Sequence, residues 1–234
     1  MSFEAKRFWK EAKARQTDGG WTVQLDGRPV RTPAKAPLVV PTRAMADLIA
    51  TEWDAQEGKI DPLTMPATRS ANAAIDKVVH QHAEVAEMLA AYGDSDLLCY
   101  RASYPQGLID RQAAIWDPVL DWAAQDLEAR LTPVSGVMHA PQDADALARL
   151  TAMVHAFTPF QLAAFHDLVS ISGSLILGFA ATKRQRPIED LWTISRLDES
   201  WQEEQWGVDE DAAAQADLKK QAFLHADRFF HLCD

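Results

Sequence analysis

The sequence predicts an α+β protein, with a small β-rich domain in residues 1–60 and a larger α-helical domain in residues 61–234. Alternating apolar residues and a hairpin-turn motif occur near the N-terminus, which favours strands there. From Thr42 onward, apolar residues recur every three or four positions, as in amphipathic helices. The 234 residues, 47% hydrophobic and 24% charged, have the composition of a globular protein and are long enough to bury a core.

The β-rich domain is predicted from a short run of alternation followed by a turn. The alternating apolar residues are Trp21, Val23 and Leu25. Asp26-Gly27 comes next, and glycine supplies the positive φ that a tight hairpin turn needs. Val30 and Thr32 are therefore expected on the returning strand. Leu38-Val39-Val40 is predicted to form another short strand that Pro41 ends.

The first predicted helix is capped by Thr42 and ends before Gly58. Further helices are predicted at residues 67–79, 83–92, 108–130, 143–156, 187–205 and 209–230. Pro118 lies within the longest of the middle segments, and proline suits a first helical turn, so residues 108–130 could form one helix or two. Leu168–Ala181 is the most apolar segment, and we interpret it as one buried helix in which Ser172-Gly173-Ser174 allows tight packing.

Net charge and cysteine content exclude several classes of function. The net charge of −11 should repel phosphate backbones and anionic membranes, so no nucleic-acid binding is expected. Leu168–Ala181 is shorter than the ~20 residues that cross a bilayer, so no membrane insertion is expected. The N-terminal residues lack the apolar run of a secretory signal, and Glu4 and Glu11 argue against a transit peptide. Two cysteines, Cys99 and Cys233, fit a reducing compartment.

The sequence contains no recognisable catalytic signature and no convincing metal site. No phosphate-binding loop, dinucleotide fingerprint or G-x-S-x-G motif occurs. His80 and His82 are two residues apart on a predicted helix, so their side chains diverge and cannot share one ion. Asp94 and Asp96 precede an apolar segment and are expected to cap a helix rather than to bind a cation. We therefore expect no metal, no cofactor and no catalysis.

The most informative segment is the acidic helix predicted at residues 187–205 and the residues that follow it. One apolar stripe consists of Leu191, Ile194, Leu197 and Trp201. A second face with the same spacing consists of Trp192, Arg196, Glu199, Glu203 and Trp206. From Asp198 to Asp217 there are eight acidic side chains and no Lys or Arg. Such a face is costly to bury unless its charges are paired, so it suits contact with another protein. A solvated helix whose tryptophans cap the core is the alternative.

Several short strings, in order along nearly the whole chain, carry a resemblance to a known family. They are Leu25-Asp-Gly-Arg-Pro29 with Thr32-Pro33, Glu52-Trp53 with Gln56, Met65-Pro66-Ala-Thr68, Ala74-Ile75-Asp76, Asp96-Leu-Leu-Cys-Tyr-Arg101, Gln112 with Trp116-Asp-Pro118, and Ser195-Arg-Leu-Asp-Glu199 with Gln202 and Trp206-Gly207. In this ordered set the chain resembles the assembly chaperones of the F-type ATP synthase catalytic head that hold the unassembled alpha subunit. No single string is specific; the ordered set is.

The resemblance implies a β-rich N-terminal domain, an orthogonal α-helical bundle, no catalysis and no cofactor. Its implied partner is the alpha subunit of the F-type ATP synthase. Members occur in mitochondria and in some bacteria, so the expected compartment is the bacterial cytoplasm, or the mitochondrial matrix for a eukaryotic chain. A glutamate important in the family maps to Glu199. Family members often carry a histidine-aspartate pair after the Trp-Gly motif, but here alanines follow Asp211, so a role for that pair does not carry over.

The sequence thus predicts a chaperone whose partner-binding residues are Arg196, Glu199, Glu203 and Trp206. Trp206 would contact an apolar patch of the client, while Glu199 and Glu203 would meet basic residues of the client. Glu199 could instead pair only with Arg196 on its own helix. Two other functions stay open at this point: an enzyme with a small-molecule site in the cleft between the two domains, and a scaffold that binds another partner through the same helix.

Overall fold

The structure, a computed structural model, describes residues 6–234. The first five residues of the segment for which no secretory signal or transit peptide is expected, including Glu4, lie outside the described residues. The α+β class is confirmed. Two compact units are found. The first contains the described residues up to His82 together with Thr158–Ala164 and Arg228–Asp234, and the second contains Ala83–Phe157 and Phe165–Asp227. The domain boundary at residue 60 stays a prediction.

An antiparallel sheet is the centre of the first unit. Strand β1 (Ala12–Thr17) pairs with β2 (Gly20–Leu25), and β3 (Arg28–Pro29) and β4 (Val39–Val40) both pair with β2. The strand predicted around Val23 and its Asp26-Gly27 turn are confirmed, but β1 was missed because AKARQT has no apolar alternation. A side chain at Gly20 would overlap the carbonyl oxygen of Val40, which explains the glycine at the start of β2.

Helix α1 (Arg43–Asp54) packs on this sheet, and α2 (Pro66–Asp76) packs on α1. Thr42 caps α1 as predicted, since its Oγ1 accepts a hydrogen bond of 3.2 Å from the backbone N–H of Met45. The carboxylate of Glu52 on α1 accepts hydrogen bonds from the backbone N–H groups of Ala67 and Thr68, at 2.6 and 2.8 Å. A carboxylate at a helix N-terminus is favourable, so this contact ties α2 to α1.

Eight further α-helices lie in the described part of the chain, which also has four short 3₁₀ helices, including one at Leu97–Cys99. The α-helices are α3 (His82–Ala90), α4 (Gln106–Asp126), α5 (Ala144–His155), α6 (Pro159–Ser172), α7 (Leu175–Thr182), α8 (Ile188–Ser195), α9 (Leu197–Trp206) and α10 (Glu210–His231). Two short parallel strands, β5 (Tyr100–Arg101) and β6 (Val134–Ser135), lie in the second unit. Helix α4 continues through Pro118, so the two-helix alternative was wrong. Trp116 and Val119, both fully buried, flank the proline, and their packing outweighs its helix-breaking tendency.

The apolar segment Leu168–Ala181 is two helices rather than the single helix that we expected. Gly173, with φ of 72°, ends α6, and Ser174 caps α7 by accepting a hydrogen bond of 3.0 Å from the N–H of Leu177. The tight packing predicted for this segment is found at Gly178, where a Cβ would be 2.7 Å from a methyl group of Val169. None of the helices in residues 6–234 is long and apolar enough to cross a membrane.

Asp96 is a helix cap, as predicted, and it is completely buried. Its carboxylate accepts hydrogen bonds from Leu98 N–H at 3.0 Å, from the Ser174 hydroxyl at 2.8 Å and from Ile176 N–H at 3.0 Å. Burial disfavours the charged form and raises the pKa of Asp96 to about 6. Within residues 6–234, no group of three or more His, Cys, Asp or Glu side chains is placed to hold a metal ion.

Candidate partner-binding surface

The predicted acidic helix is divided into α8 and α9 at Arg196, which the sequence pattern did not indicate. The hydroxyl of Ser195 donates a hydrogen bond of 2.7 Å to the carbonyl oxygen of Trp192, the group that would otherwise continue the helix. The N–H of Arg196 then turns to the carbonyl of Thr193 at 3.2 Å. Gly207, with φ of 90°, ends α9 directly after Trp206.

Arg196 stands at the junction of α8 and α9 and contacts two side chains of the predicted second face, Glu199 and Trp192. Its guanidinium donates a hydrogen bond of 2.6 Å to Glu199, and the Glu199 side chain stays 46% exposed. The same guanidinium lies 5.8 Å from the ring centre of Trp192. Trp192 shares a face with Arg196 and Glu199 as predicted, but of the two alternatives left open for this face it follows the second, a tryptophan that caps the core. Its ring is 8% exposed because it packs against Phe223 of α10, with ring centres 5.9 Å apart.

One side of α9 is fixed against α4 by polar contacts. Gln112 of α4 donates a hydrogen bond of 2.7 Å to Asp198. Arg111 donates two hydrogen bonds to Glu204, at 2.7 and 2.9 Å, and its guanidinium lies 4.7 Å from the ring centre of Trp201. The hydrogen bonds from Arg111 lower the pKa of Glu204. The predicted apolar stripe is confirmed on this side, where Leu197 is buried.

The other side of α9 carries Glu199, Glu203 and Trp206. With about 100° between successive residues of an α-helix, these three lie opposite Leu197 and Trp201. Trp206 is 80% exposed, which is unusual for so large an apolar side chain. Glu203 is half-buried, and its carboxylate has no hydrogen bond or ion pair with another side chain in the described part of the chain. The helix thus presents an indole and two carboxylates on one side.

Sequence reasoning missed the basic residues around this helix. Arg111 neutralises Glu204 from 93 positions away, and no local pattern could have revealed the pair. Arg186, just before α8, was also missed. The run Lys183-Arg184-Gln185-Arg186 was a usable signal, since it is a cluster of positive charge in a chain of net charge −11. Val208, beside Trp206, is 65% exposed and extends the apolar surface at the end of α9.

Comparisons with known proteins agree on one family. The family model described as ATP12 chaperone protein matches residues 6–124. The crystal structure of Atp12 from Paracoccus denitrificans superposes with a TM-score of 0.95 at 48% sequence identity, covering 98% of this chain and 99% of that chain. A variant of the same Paracoccus protein with an aspartate replaced by lysine matches with the same TM-score and identity. The mitochondrial atp12 protein of Schizosaccharomyces pombe is 27% identical over 219 residues, which is 88% of this chain and 75% of that protein.

Proposed function

Because this chain belongs to the ATP12 family of ATP synthase assembly chaperones, we propose that it binds the unassembled alpha subunit of the F-type ATP synthase and keeps it from aggregating. A subunit of a ring exposes its interface before its neighbour arrives, and large exposed apolar patches promote aggregation. A chaperone of this kind should cover such a patch and then leave. The family members are chaperones and not enzymes, so the alternative of a small-molecule enzyme loses its support.

The observation that carries the proposal is the exposed indole of Trp206 beside the carboxylate of Glu203. An aromatic ring that is 80% exposed at a helix end is suited to anchor a partner, since Trp is enriched among residues that dominate binding energy. Glu203 has no basic partner of its own among the described residues, and Glu199 keeps about half of its side chain exposed. We infer that these carboxylates meet basic residues of the alpha subunit and set the register of binding.

Arg196 has a positioning role in this proposal. Its guanidinium is 22% exposed, lies over the buried ring of Trp192 and holds Glu199 by a hydrogen bond of 2.6 Å. This arrangement orients the Glu199 carboxylate before a partner arrives and reduces the entropy that binding would have to remove. Glu199 is therefore expected to act together with Arg196 rather than as an isolated charge.

Substitution of Trp206 tests the proposal. In Trp206→Ser, suppression of aggregation of the purified alpha subunit should fall sharply, and binding should weaken by about 2 kcal/mol or more if the indole is a central contact. The melting temperature should stay unchanged, because the ring makes few contacts within its own fold. Light scattering of the alpha subunit during dilution from denaturant measures the first quantity.

Met138→Ser is the matched control. Met138 is also 80% exposed and lies in the same unit, far along the chain from α9. The control variant should suppress aggregation as well as the unmodified protein does. Equal activity of Trp206→Ser and Met138→Ser would refute a role for the tryptophan, and failure of the unmodified protein to protect the alpha subunit would refute the proposed function itself.

We propose the bacterial cytoplasm as the compartment. The support is the greater similarity to the Paracoccus protein, at 48% identity, than to the mitochondrial protein of Schizosaccharomyces pombe, at 27%. Fractionation of the source cells followed by immunodetection would test this proposal.

A further inference from the structure

A groove of about 420 Å³ in the second unit lies between α4, α8 and α9. Its apolar lining includes Ala114 and Ile115 of α4, Ile194 of α8 and Leu197 of α9. Ile115 is 36% exposed, whereas Ile194 on the α8 side of the groove is buried. The volume is within the range of known ligand sites, and the exposed isoleucine offers an apolar surface to an incoming side chain.

One basic residue of this groove lacks a partner. Arg186 lines the groove and its Nε is buried. Within residues 6–234 this N–H donates no hydrogen bond, and the guanidinium forms no ion pair. Burying a charged donor without a partner is unfavourable, so the site gains from an acceptor that binds there.

The other charged groups of the groove are paired or hydrated, so they do not require a binding partner as Arg186 does. Arg111 is already bound to both carboxylate oxygens of Glu204. Asp190, in the first turn of α8, is exposed and therefore hydrated, so it has little need of a partner. Lys183 and Arg184 lie within three residues of Arg186, which makes this turn locally basic in a chain of net charge −11. The turn should attract a negatively charged group.

We propose that this groove binds a short segment of the client protein in which an acidic side chain neighbours a large apolar one. The apolar side chain packs on Ala114 and Ile115, the exposed apolar part of the lining, and the carboxylate accepts hydrogen bonds from Arg186. This inference rests on the proposed chaperone function. The acidic side of α9 would bind basic residues of the client, and the groove would bind an acidic one. Two contacts of opposite sign would select one orientation of the client.

The first test compares substitutions of two nearby arginines, with the purified alpha subunit as the probe. Arg186→Met should weaken binding of the alpha subunit about tenfold, because a charge-assisted hydrogen bond is lost. Arg184→Met is the matched control. Arg184 lies two residues before Arg186, is exposed and does not line the groove, so removing its equal charge should change binding less than about twofold. Equal affinities of the two variants, at unchanged melting temperature, would overturn the inference while the proposed function stands.

The second test leaves the half-buried arginine intact and identifies what occupies the groove. A photoreactive benzoylphenylalanine at position 115 should crosslink to the alpha subunit, and mass spectrometry should find Asp or Glu within about four residues of the crosslinked position, the length of one helical turn. Ile115→Glu should weaken binding by placing a carboxylate beside Arg186. No crosslink, or a crosslink to a segment without acidic residues, would contradict the inference. If the unmodified protein fails to bind the alpha subunit at all, the proposed function fails with it.

Discussion

Arg111 of α4 donates two parallel hydrogen bonds to Glu204 of α9, at 2.7 and 2.9 Å, across 93 positions of sequence. The same guanidinium stacks over Trp201, 4.7 Å from its ring centre. A side chain at Gly107 would lie 3.0 Å from the Trp201 ring, so the helix approaches α4 closely at this point. Through these contacts, Trp201 and Glu204 are held against α4, and the side of α9 with Trp206 is exposed.

Replacing Arg111 should therefore destabilise the protein more than replacing Glu204. Arg111→Met removes both the ion pair and the stacking on Trp201, whereas Glu204→Gln removes only the charge of the pair. Melting temperatures at low and high salt measure the difference, and the Glu204→Gln effect should shrink at high salt because the pair is solvent-exposed. Arg130→Met, which removes a 3.6 Å exposed pair with Asp121, should be nearly silent. Equal losses for all three variants would contradict this account.

The lowered pKa of Glu204 adds a pH dependence to the same comparison. A carboxyl group whose pKa is lowered in the folded state contributes stability above its unfolded value, near 4.5, and this contribution is lost as the pH falls through the folded value. The melting temperature of the unmodified protein should therefore approach that of Glu204→Gln as the pH is lowered below 4.5. A constant difference between the two proteins across this range would count against the pair.

Asp96 should show the opposite pH dependence. Its pKa is raised from 3.8 to about 6 by burial, so the folded state holds the proton more tightly than the unfolded state. The stability that this group contributes is complete below pH 3.8 and is lost as the pH rises through about 6. Relative to Asp96→Asn, the free energy of unfolding of the unmodified protein should fall by roughly 3 kcal/mol over this window. Urea unfolding from below pH 3.8 to above pH 6 measures it, and a pH-independent difference would refute the shift.

Gly178→Ala should lower stability although alanine is the better helix former. The added methyl would lie 2.7 Å from Val169 and 3.0 Å from Phe165, and overpacking of this kind costs about 1–3 kcal/mol. Helix propensity would return at most about 1 kcal/mol. Denaturant unfolding gives the net change. Val169→Ala removes the contacting methyl, so the double variant should lose less than the sum of the two single losses. Strict additivity would mean that the clash is absent.

The parts of the fold that the sequence predicted are those with local causes. Thr42 caps α1, Asp26-Gly27 turns the β2–β3 hairpin and Asp96 caps its own segment, because each signal acts within four residues. Strand β1 has no such signal; it is a strand because β2 pairs with it along its whole length. The end of α8 depends on the Ser195 hydroxyl, which competes for a backbone carbonyl in a way that helix periodicity does not register.

The candidate surface shows the same division. Helical spacing predicted that Glu199, Glu203 and Trp206 share one side of a helix, since this depends only on the helical repeat. Spacing could not show which end of the helix predicted at residues 187–205 is buried by the rest of the fold. Trp192 is buried because Phe223, 31 residues further along, packs on it. The partner of Glu204 and the unpaired state of Arg186 also depend on contacts that are distant in sequence.

Charge reversal at Glu199 separates a binding role from a structural one. Arg196 now donates a hydrogen bond of 2.6 Å to Glu199. Glu199→Lys replaces this ion pair by two adjacent cations, and the new lysine should also repel basic residues of the alpha subunit. Since Glu199 is 46% exposed, the cost in stability should stay below about 1 kcal/mol. Suppression of alpha-subunit aggregation should be largely lost. Thermal melting and light scattering, measured on the same sample, compare the two effects.

Glu84→Lys is the matched control for this charge reversal. Glu84 is an exposed glutamate in the first turn of α3, as Glu199 is in the first turn of α9, so both substitutions place a cation at the positive end of a helix. Both should lower the melting temperature slightly, and only Glu199→Lys should impair protection of the alpha subunit. If the melting temperature of Glu199→Lys falls far below that of Glu84→Lys and protection is lost with it, the glutamate serves the Arg196 pair alone, because a loss of fold then accounts for the loss of protection.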